Sequence, residues 1–151
     1  MKRFVYLAGP VLVQSEAEAN DWRRIFARSL EEHGIVGISP LRCEPIHGPV
    51  YSPGYPDERF GTPRAIMSKN FFDVQTADVT LAYLPTPSWG TMCELSWAKA
   101  LGKMTILVSD NPAILSHPVL IAQAGWVLNS LSEAHDVIVG VLGGYTGGKY
   151  V

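Results

Sequence analysis

Short apolar runs of strand length recur along the chain, and the intervals between them leave room for helices. Residues 4–8, 35–38, 79–84 and 104–108 are such runs, and residues 126–128 form a weaker one. Strands buried on both faces of a parallel sheet read as continuous apolar runs rather than as an alternation of apolar and polar positions. The pattern therefore predicts five strands of a parallel sheet.

Capping residues and helical periodicity predict helices between these strands. Ser15 and Glu18 have the spacing of a capping box, and Gly34 is a stop signal further on. The apolar residues that share one face between them are Trp22, Ile25, Phe26 and Leu30. Similar reasoning places four helices, counted from cap to stop, at residues 15–34, 62–76, 91–102 and 130–142.

The alternation of strands and helices predicts the α/β class: one doubly wound, flavodoxin-like, five-stranded parallel sheet with helices on both faces. Ligands of such sheets sit at the carboxyl ends of the strands where the strand order reverses, so the loops after the first and third strands should form the cleft. We expect a single domain over residues 1–151. It would carry a long Pro/Gly-rich active-site loop without regular structure at 40–62 and a loose tail at 143–151.

Composition narrows the possible partners and compartments. A net charge of −2 gives no basic surface of the kind that nucleic acid requires, so no nucleic-acid partner is expected. Gly9-Pro10 interrupts the apolar start of the chain, which argues against a signal peptide, and we expect no membrane partner. Cys43 and Cys93 are too few for a disulfide framework, which favours a reducing, cytoplasmic location.

Metal and phosphate-loop chemistry have little support in the sequence. The four histidines are scattered, at positions 33, 47, 117 and 135, and no Cys/His cluster has zinc spacing. Residues 143–149 match the first seven positions of a phosphate loop. Tyr150, however, stands where the serine or threonine that holds magnesium must be. We therefore expect neither a metal nor a cofactor.

Glu94 is the leading candidate for a chemical role, although a structural role has the same spacing. It is expected in the first turn of a helix that follows the third strand, where the helix dipole keeps a carboxylate ionised. Gly90, just before it, lets a ligand approach the backbone. Thr91 and Glu94 also have capping-box spacing, with Thr91 as the cap. Spacing alone leaves both interpretations of Glu94 open.

Other polar residues are weaker candidates. Asn70 and Asp73 share a helical face and could reach one ligand, although Asp73 could equally be a solvated helix residue. Asp78, ahead of the third strand, could serve as a turn residue that caps the helix end. Tyr6 lies inside an apolar strand, where a tyrosine is more often a core residue with a bonded hydroxyl than a catalytic group.

Taken together, three stretches of the sequence resemble the nucleoside 2-deoxyribosyltransferase family. They cover residues 6–10, 70–79 and 90–95, and the likeness extends from residue 4 to about residue 130. Each motif is short, but their order and their placement on the predicted elements make the likeness more specific than any one of them.

The resemblance implies a reaction at the N-glycosidic bond of a 2-deoxynucleoside. Glu94 would attack the anomeric carbon, release the base and hold the sugar as a covalent ester until a second base takes it. Tyr6 would hydrogen-bond this nucleophile. The substrates implied are a nucleoside or nucleotide and a free nucleobase. The residues expected to bind them are Asn70, Asp73, Gly9, Ser88, Gly90 and Thr91.

The resemblance also implies a homo-oligomer, a dimer or higher, in which neighbouring subunits complete the sites. Asn111 and His117 are the residues that would face another subunit's pocket. Two departures from the family pattern stand out. Asn70 replaces an aspartate that binds sugar hydroxyls, and its amide lacks the charge that strengthens such bonds. The loop at 85–89 lacks the acid that protonates the leaving base in some members, so the sequence names no proton donor.

Three alternatives compete with transfer. Relatives with this fold hydrolyse 2-deoxynucleoside 5-phosphates, and Ser88 could bind such a phosphate, but no arginine follows Gly9-Pro10 to anchor it. A phosphorylated receiver is disfavoured because no aspartates cluster after the first strand. A non-catalytic nucleotide-binding or sensing module has Asn70 in its favour. The sequence favours transfer over hydrolysis.

Overall fold

The computed structural model describes residues 1–44, 46, 48–52 and 59–143. Within those residues, five parallel strands form one sheet in the order β2-β1-β3-β4-β5. The strands are β1 (Arg3–Ala8), β2 (Ile35–Ile38), β3 (Val79–Tyr83), β4 (Met104–Val108) and β5 (Trp126–Leu128). The predicted doubly wound parallel sheet is confirmed, and each strand lies within one residue of its predicted bounds.

Helices cover both faces of the sheet, as expected for this fold. They are α1 (Glu16–Glu31), α2 (Pro63–Thr76), α3 (Trp89–Ala100), α4 (Pro112–Leu115), α5 (Pro118–Ala122) and α6 (Leu131–Leu142). Leu7 of β1 belongs to the core cluster under α1 and α6, together with Phe26 and Ile138. Tyr6 lies on the opposite face, in a cluster with Val74 of α2. Neighbouring residues of β1 thus serve two separate cores, because side chains alternate along a strand.

Several helix ends follow the predicted chemistry. Ser15 and Glu18 form the capping box of α1, and Thr62 caps α2. Gly34 and Gly102 follow α1 and α3 with φ values of 71° and 69°. Those values lie in the left-handed region that glycine adopts without strain. The predicted starts of α1 and α2 and the predicted stops of α1 and α3 are therefore confirmed.

The predicted start of α3 is wrong by three residues. The cap is Ser88 rather than Thr91, because the Ser88 hydroxyl accepts a hydrogen bond from the Thr91 backbone N–H at 3.3 Å. The helix therefore begins at Trp89, and Thr91 already lies within its first turn. As a result Glu94 falls in the second turn, further from the positive end of the helix dipole than the sequence suggests.

The prediction that residues 40–62 contain no regular structure is wrong at the start of that segment. Pro40–Cys43 form a short 3₁₀ helix, capped by Ser39, whose hydroxyl accepts a hydrogen bond from the Leu41 backbone N–H at 3.2 Å. Leu41 is buried in a small cluster that includes Tyr51 from later in the same segment. Packing beneath α1 therefore orders this part of the loop.

The sequence pattern does not predict α4 and α5, which contain only four and five residues. Other predictions cannot be compared with the structure, because residues 53–58 of the long loop and 144–151 of the tail lie outside the described residues, as does His47. No helix in the described part of the chain is long and apolar enough to cross a membrane.

Candidate active site

A cavity of about 650 Å³ opens at the carboxyl ends of β1 and β3, the two strands between which the sheet order reverses. Residues 9–14, which follow β1, line one side of it, and residues 86–91, which follow β3, line another. Both predicted loops therefore flank the cleft, at the position where open α/β sheets bind ligands.

Glu94 lines this cavity and does not act as a helix cap. Its side chain is held by two donors that meet on one oxygen, Oε1: the Tyr6 hydroxyl at 2.8 Å and the Asn70 side-chain amide at 3.2 Å. No donor among the described residues contacts its other oxygen, Oε2. The capping-box interpretation is excluded, because Ser88 caps the helix and Glu94 bonds to two other elements.

The protonation of this carboxyl is set by burial. Burial raises the pKa of Glu94 to about 7, while the Tyr6 hydrogen bond and the charges of Arg23 and Lys69 lower it. Burial likewise holds the pKa of Tyr6 well above its usual value, with help from Glu94, so Tyr6 keeps its proton and remains a donor. The Glu94 carboxyl therefore binds its proton more tightly than the sequence suggests, because it is buried and lies a turn inside the helix rather than at its end.

Asn70 donates to Glu94, and Lys69 fixes the orientation of the Asn70 amide. The Lys69 ammonium donates to Asn70 Oδ1 at 2.8 Å and also to the backbone carbonyl of Pro40. An ammonium group can only donate, so the amide must turn its oxygen to Lys69 and its nitrogen to Glu94. Sequence reasoning missed Lys69, because this contact between adjacent residues produces no periodic pattern.

Asp73 lies on α2, as expected, but does not reach the cavity. Its buried carboxylate accepts two hydrogen bonds from Arg42 of the 3₁₀ helix, and Lys69 Nζ lies 3.7 Å away. Asp73 is not among the described residues that line the cavity. Asp78 hydrogen-bonds the start of β1 rather than the end of α2. The structure therefore brings Asn70, but neither aspartate, to Glu94.

Arg23 is a buried cation that sequence reasoning also missed. Its side chain is 1% exposed and donates to three backbone carbonyls, those of Leu7, Gly9 and Ala19. Burial lowers its pKa to about 10, which still leaves it charged at neutral pH. A permanent positive charge therefore lies beneath the end of β1 and favours the ionised form of Glu94.

The four remaining residues that were predicted to bind the substrate line the cavity: Gly9, Ser88, Gly90 and Thr91. A Cβ atom on Gly9 would lie 2.8 Å from the Trp22 ring, so the packing of α1 requires glycine there. A Cβ on Gly90 would meet no atom within 4 Å. The Ser88 hydroxyl is engaged in capping α3 and accepts hydrogen bonds from Thr91.

Asn111 and His117 cap two short helices. The Asn111 side chain accepts a hydrogen bond from the backbone of α4, and the His117 ring accepts one from the backbone of α5. Neither is among the described residues that line this chain's own cavity. Within the described chain, no group of three His, Cys, Asp or Glu residues is placed to hold a metal ion.

The cavity lies where the strand order of a doubly wound α/β sheet reverses, and it contains the buried Glu94 carboxyl. This arrangement is typical of proteins that bind small molecules. The sequence profile of the nucleoside 2-deoxyribosyltransferase family matches residues 5–137. The chain belongs to this family. Membership supports an enzyme that acts on N-glycosidic bonds.

Solved structures share the fold at low sequence identity. A 2-desoxiribosyltransferase from Leishmania mexicana aligns with a TM-score of 0.63 and 19% identity, covering 91% of this chain and 97% of its own. A 2-deoxyribosyltransferase from Bacillus psychrosaccharolyticus gives 0.65 and 18%, over 88% and 90%. A CMP N-glycosidase from Clostridium botulinum gives 0.57 and 22%, over 93% and 100%. No match was found among curated protein sequences.

Proposed function

We propose that the protein is a nucleoside 2-deoxyribosyltransferase, which cleaves the N-glycosidic bond of a 2-deoxynucleoside and passes the sugar to another base. One observation carries the proposal: the buried Glu94 carboxyl lines the cavity with both of its hydrogen bonds on Oε1. That arrangement leaves Oε2, which has no donor among the described residues, as the oxygen that attacks.

The chemistry is a double displacement through a glycosyl ester. Glu94 Oε2 bonds to the anomeric carbon as the bond to the base breaks, and the second base then displaces Glu94 from the sugar. Tyr6 and Asn70 hold Oε1 and so fix the direction of attack. Holding the nucleophile in place before the substrate arrives lowers the entropic part of the barrier.

The cavity fits a nucleoside in size and character. Its volume of about 650 Å³ lies in the range of small-molecule sites. Its walls are mostly apolar and include Met67 of α2 and Trp89 and Trp97 of α3, which offer flat or flexible surfaces for a base. A mostly apolar lining that also contains the Glu94 carboxyl and the Asn70 amide suits a nucleoside, which has a flat base and a polar sugar.

The second candidate is a 2-deoxynucleoside 5-phosphate N-glycosidase, in which water takes the sugar. In its favour, a structural relative is a CMP N-glycosidase, and Ser88 lines the cavity. Against it, no lysine or arginine is found among the described residues that line the cavity. A phosphate would therefore meet no cationic side chain there, which favours an uncharged nucleoside.

Two further parts of the proposal concern the cell and the assembly. We propose a reducing, cytoplasmic compartment, because a chain with two cysteines has too few for a disulfide framework. We also propose a homo-oligomer in which Asn111 and His117 face a neighbouring subunit's cavity, and a variant of either residue would test this in mixed oligomers. Regained activity when an inactive His117 variant is mixed with an inactive Glu94 variant would support the shared site, because only a site shared between subunits combines the intact His117 of one with the intact Glu94 of the other.

Product analysis tests the function directly. The protein is incubated with a 2-deoxynucleoside, with and without a second free base, and the products are separated by chromatography. A new nucleoside supports transfer, and free deoxyribose supports hydrolysis. Mass spectrometry of the protein without an acceptor should detect one added deoxyribosyl group. Absence of any product would favour a non-catalytic binding module.

A further inference from the structure

Glu44 is a second carboxyl group in the cavity, and the proposed mechanism leaves it without a role. It follows the 3₁₀ helix, where its backbone N–H donates to the Leu41 carbonyl at 3.0 Å, so the residue has a fixed anchor. Its side chain is 10% exposed and lines the cavity. Within the described chain, Oε1 of this residue is buried without any hydrogen-bond partner.

An unpartnered buried carboxyl oxygen is costly and therefore needs an explanation. The Lys69 ammonium lies 3.9 Å from Oε1, which is too far for a hydrogen bond. Lys69 already donates to Asn70 and to the Pro40 carbonyl. The fold therefore gives Oε1 no donor, which favours the neutral, protonated form of this carboxyl, and the exposed part of the side chain faces the cavity.

Contacts connect Glu44 to the nucleophile. Lys69 lies beside Glu44 and donates to Asn70, which in turn donates to Glu94. The two glutamates are the only carboxyl groups among the described residues that line the cavity. Glu94 accepts hydrogen bonds on one oxygen, whereas the Glu44 side chain accepts none from the described residues. Two carboxyl groups in such different environments suit two different roles towards one substrate.

We propose that Glu44 is the general acid that protonates the leaving base, an assignment that rests on the proposed glycosyl transfer. As the bond between the anomeric carbon and the base nitrogen breaks, its electron pair goes to the base, and the Glu44 proton moves to a ring nitrogen or carbonyl oxygen of that base. Glu94 Oε2 forms the new bond to the carbon. In the second displacement, the Glu44 carboxylate removes a proton from the incoming base.

The surroundings of Glu44 suit both of its protonation states. Burial raises the pKa of the Glu44 carboxyl, which favours the proton-bearing form that the first step needs. The charges of Lys69 and Arg23 lower that pKa and stabilise the carboxylate left after the proton has gone. Since the loop at 85–89 contains no acid, Glu44 fills the role for which the sequence offers no candidate there.

The test compares leaving groups that need a proton with leaving groups that need it less. A purine pair is 2′-deoxyguanosine and 7-methyl-2′-deoxyguanosine, whose cationic base departs without protonation. A pyrimidine pair is thymidine and 5-fluoro-2′-deoxyuridine, whose base is the better leaving group. In Glu44→Gln, kcat/KM should fall roughly 100- to 10,000-fold for 2′-deoxyguanosine and thymidine, the demanding members, whose bases need the proton. It should fall far less for the other member of each pair.

Controls separate this role from simple damage. Glu31→Gln makes the same chemical change at an exposed residue on α1 and should leave all rates unchanged. Thermal unfolding checks that Glu44→Gln is folded, and Glu44→Ala, measured with the same pairs, should give the same selective loss if the glutamine variant is unstable.

The outcomes distinguish the two proposals. An equal loss on both members of a pair in both variants would overturn the acid role, while the transferase function would stand. If the wild type releases no base from any of the four nucleosides, the proposed function fails and the role of Glu44 falls with it. A loss confined to the demanding leaving group supports both.

Discussion

At position 94 the protein keeps an ionisable group where burial opposes its charge. The pKa of Glu94 is raised to about 7, against an ordinary value of 4.5. A folded state with the higher pKa binds the proton more tightly than the unfolded state does. This contribution to stability is therefore fully present below about pH 4.5 and is lost as the pH rises through 7.

Glu94→Gln should consequently separate stability from activity. Glutamine keeps the size and the acceptor oxygen but cannot ionise, so at pH 8 the variant should be more stable than the wild type by about 3 kcal/mol. At pH 4 the two should unfold alike. Denaturant titrations at both pH values measure this difference. Base release should fall more than roughly 1000-fold, because the attacking carboxylate is gone. Equal stabilities at pH 8 would contradict the raised pKa.

Asn70→Asp should shift the pH dependence of the reaction. In the wild type, Glu94, which ionises among Tyr6, Arg23, Lys69 and Glu44, should give the pH profile of kcat/KM a limb with a midpoint of about 7, and the loss of the Glu44 proton should give a second limb. A second carboxylate beside Glu94 disfavours its charged form, so the midpoint should move up. The measurement is the pH profile of kcat/KM for base release.

A matched control makes the same amide-to-carboxylate change outside the cavity. Asn129→Asp, at an exposed position before α6, should leave the midpoint where it is in the wild type. A midpoint that stays fixed or moves down in Asn70→Asp would show that the amide does not support the ionised Glu94.

At the scale of elements, α3 shows why spacing alone misplaces a helix start. Ser88 and Thr91 are both capping residues, and each stands three residues before a possible partner. The sequence favours Thr91, because Glu94 completes a capping box. Ser88 caps the helix instead, and the extra residues carry Glu94 past the helix end to Tyr6 on β1. This hydrogen bond between Glu94 of α3 and Tyr6 of β1 is a tertiary contact that capping-box spacing does not predict.

The cap of α3 should matter both for stability and for the site. Ser88→Ala should lower the free energy of unfolding by about 1 kcal/mol, because it leaves the N–H of Thr91 without its side-chain acceptor. Ser130→Ala removes the equivalent cap of α6 and should cost a similar amount. Only the Ser88 variant should also change KM, since Ser88 lines the cavity. Denaturant unfolding and steady-state kinetics test this, and an unaltered KM in Ser88→Ala would contradict it.

In helix α1, the buried Arg23 lies at a position that the periodic pattern assigns to apolar residues. The buried residues of this helix are Ala19, Arg23, Phe26 and Leu30. Arg23 therefore occupies a core position on the apolar stripe, whereas Ile25, which the pattern assigns to that stripe, is 72% exposed. An arginine flanked by apolar residues at helical spacing is a signal that could have identified it. Arg23 is tolerated in the core because it donates to three backbone carbonyl oxygens, at the end of β1 and in α1. Those contacts can be identified only from the structure.

At the scale of the molecule, the strands and the position of the cleft could be predicted from the sequence, whereas the polar contacts around Glu94 could not. Apolar runs identify the strands, and the chirality of parallel crossovers fixes the cleft at β1 and β3. Glu94, Tyr6 and Asn70 could be identified from the sequence because they lie in the short stretches that resemble the family. Glu44 could not, because it lies in a proline-rich stretch in which no periodicity marks a buried side chain.

The charge distribution around the cavity predicts its substrate preference. The protein carries a net charge of −2, and no described cavity-lining residue is cationic. A 2-deoxynucleoside should therefore be cleaved with a kcat/KM roughly tenfold or more above that of its 5-phosphate. Steady-state rates on 2′-deoxyadenosine and its 5-phosphate measure the ratio. A preference for the phosphate would favour the N-glycosidase alternative.

The burial of the Glu94 carboxyl also governs how this protein would respond to laboratory evolution. A library screened only for survival of heating in alkaline buffer would reward any residue at position 94 that cannot carry a negative charge. The selected variants would be stable but inactive. Raising the stability of this protein therefore requires a screen that measures turnover in every round, because at position 94 a gain in stability is a loss of activity.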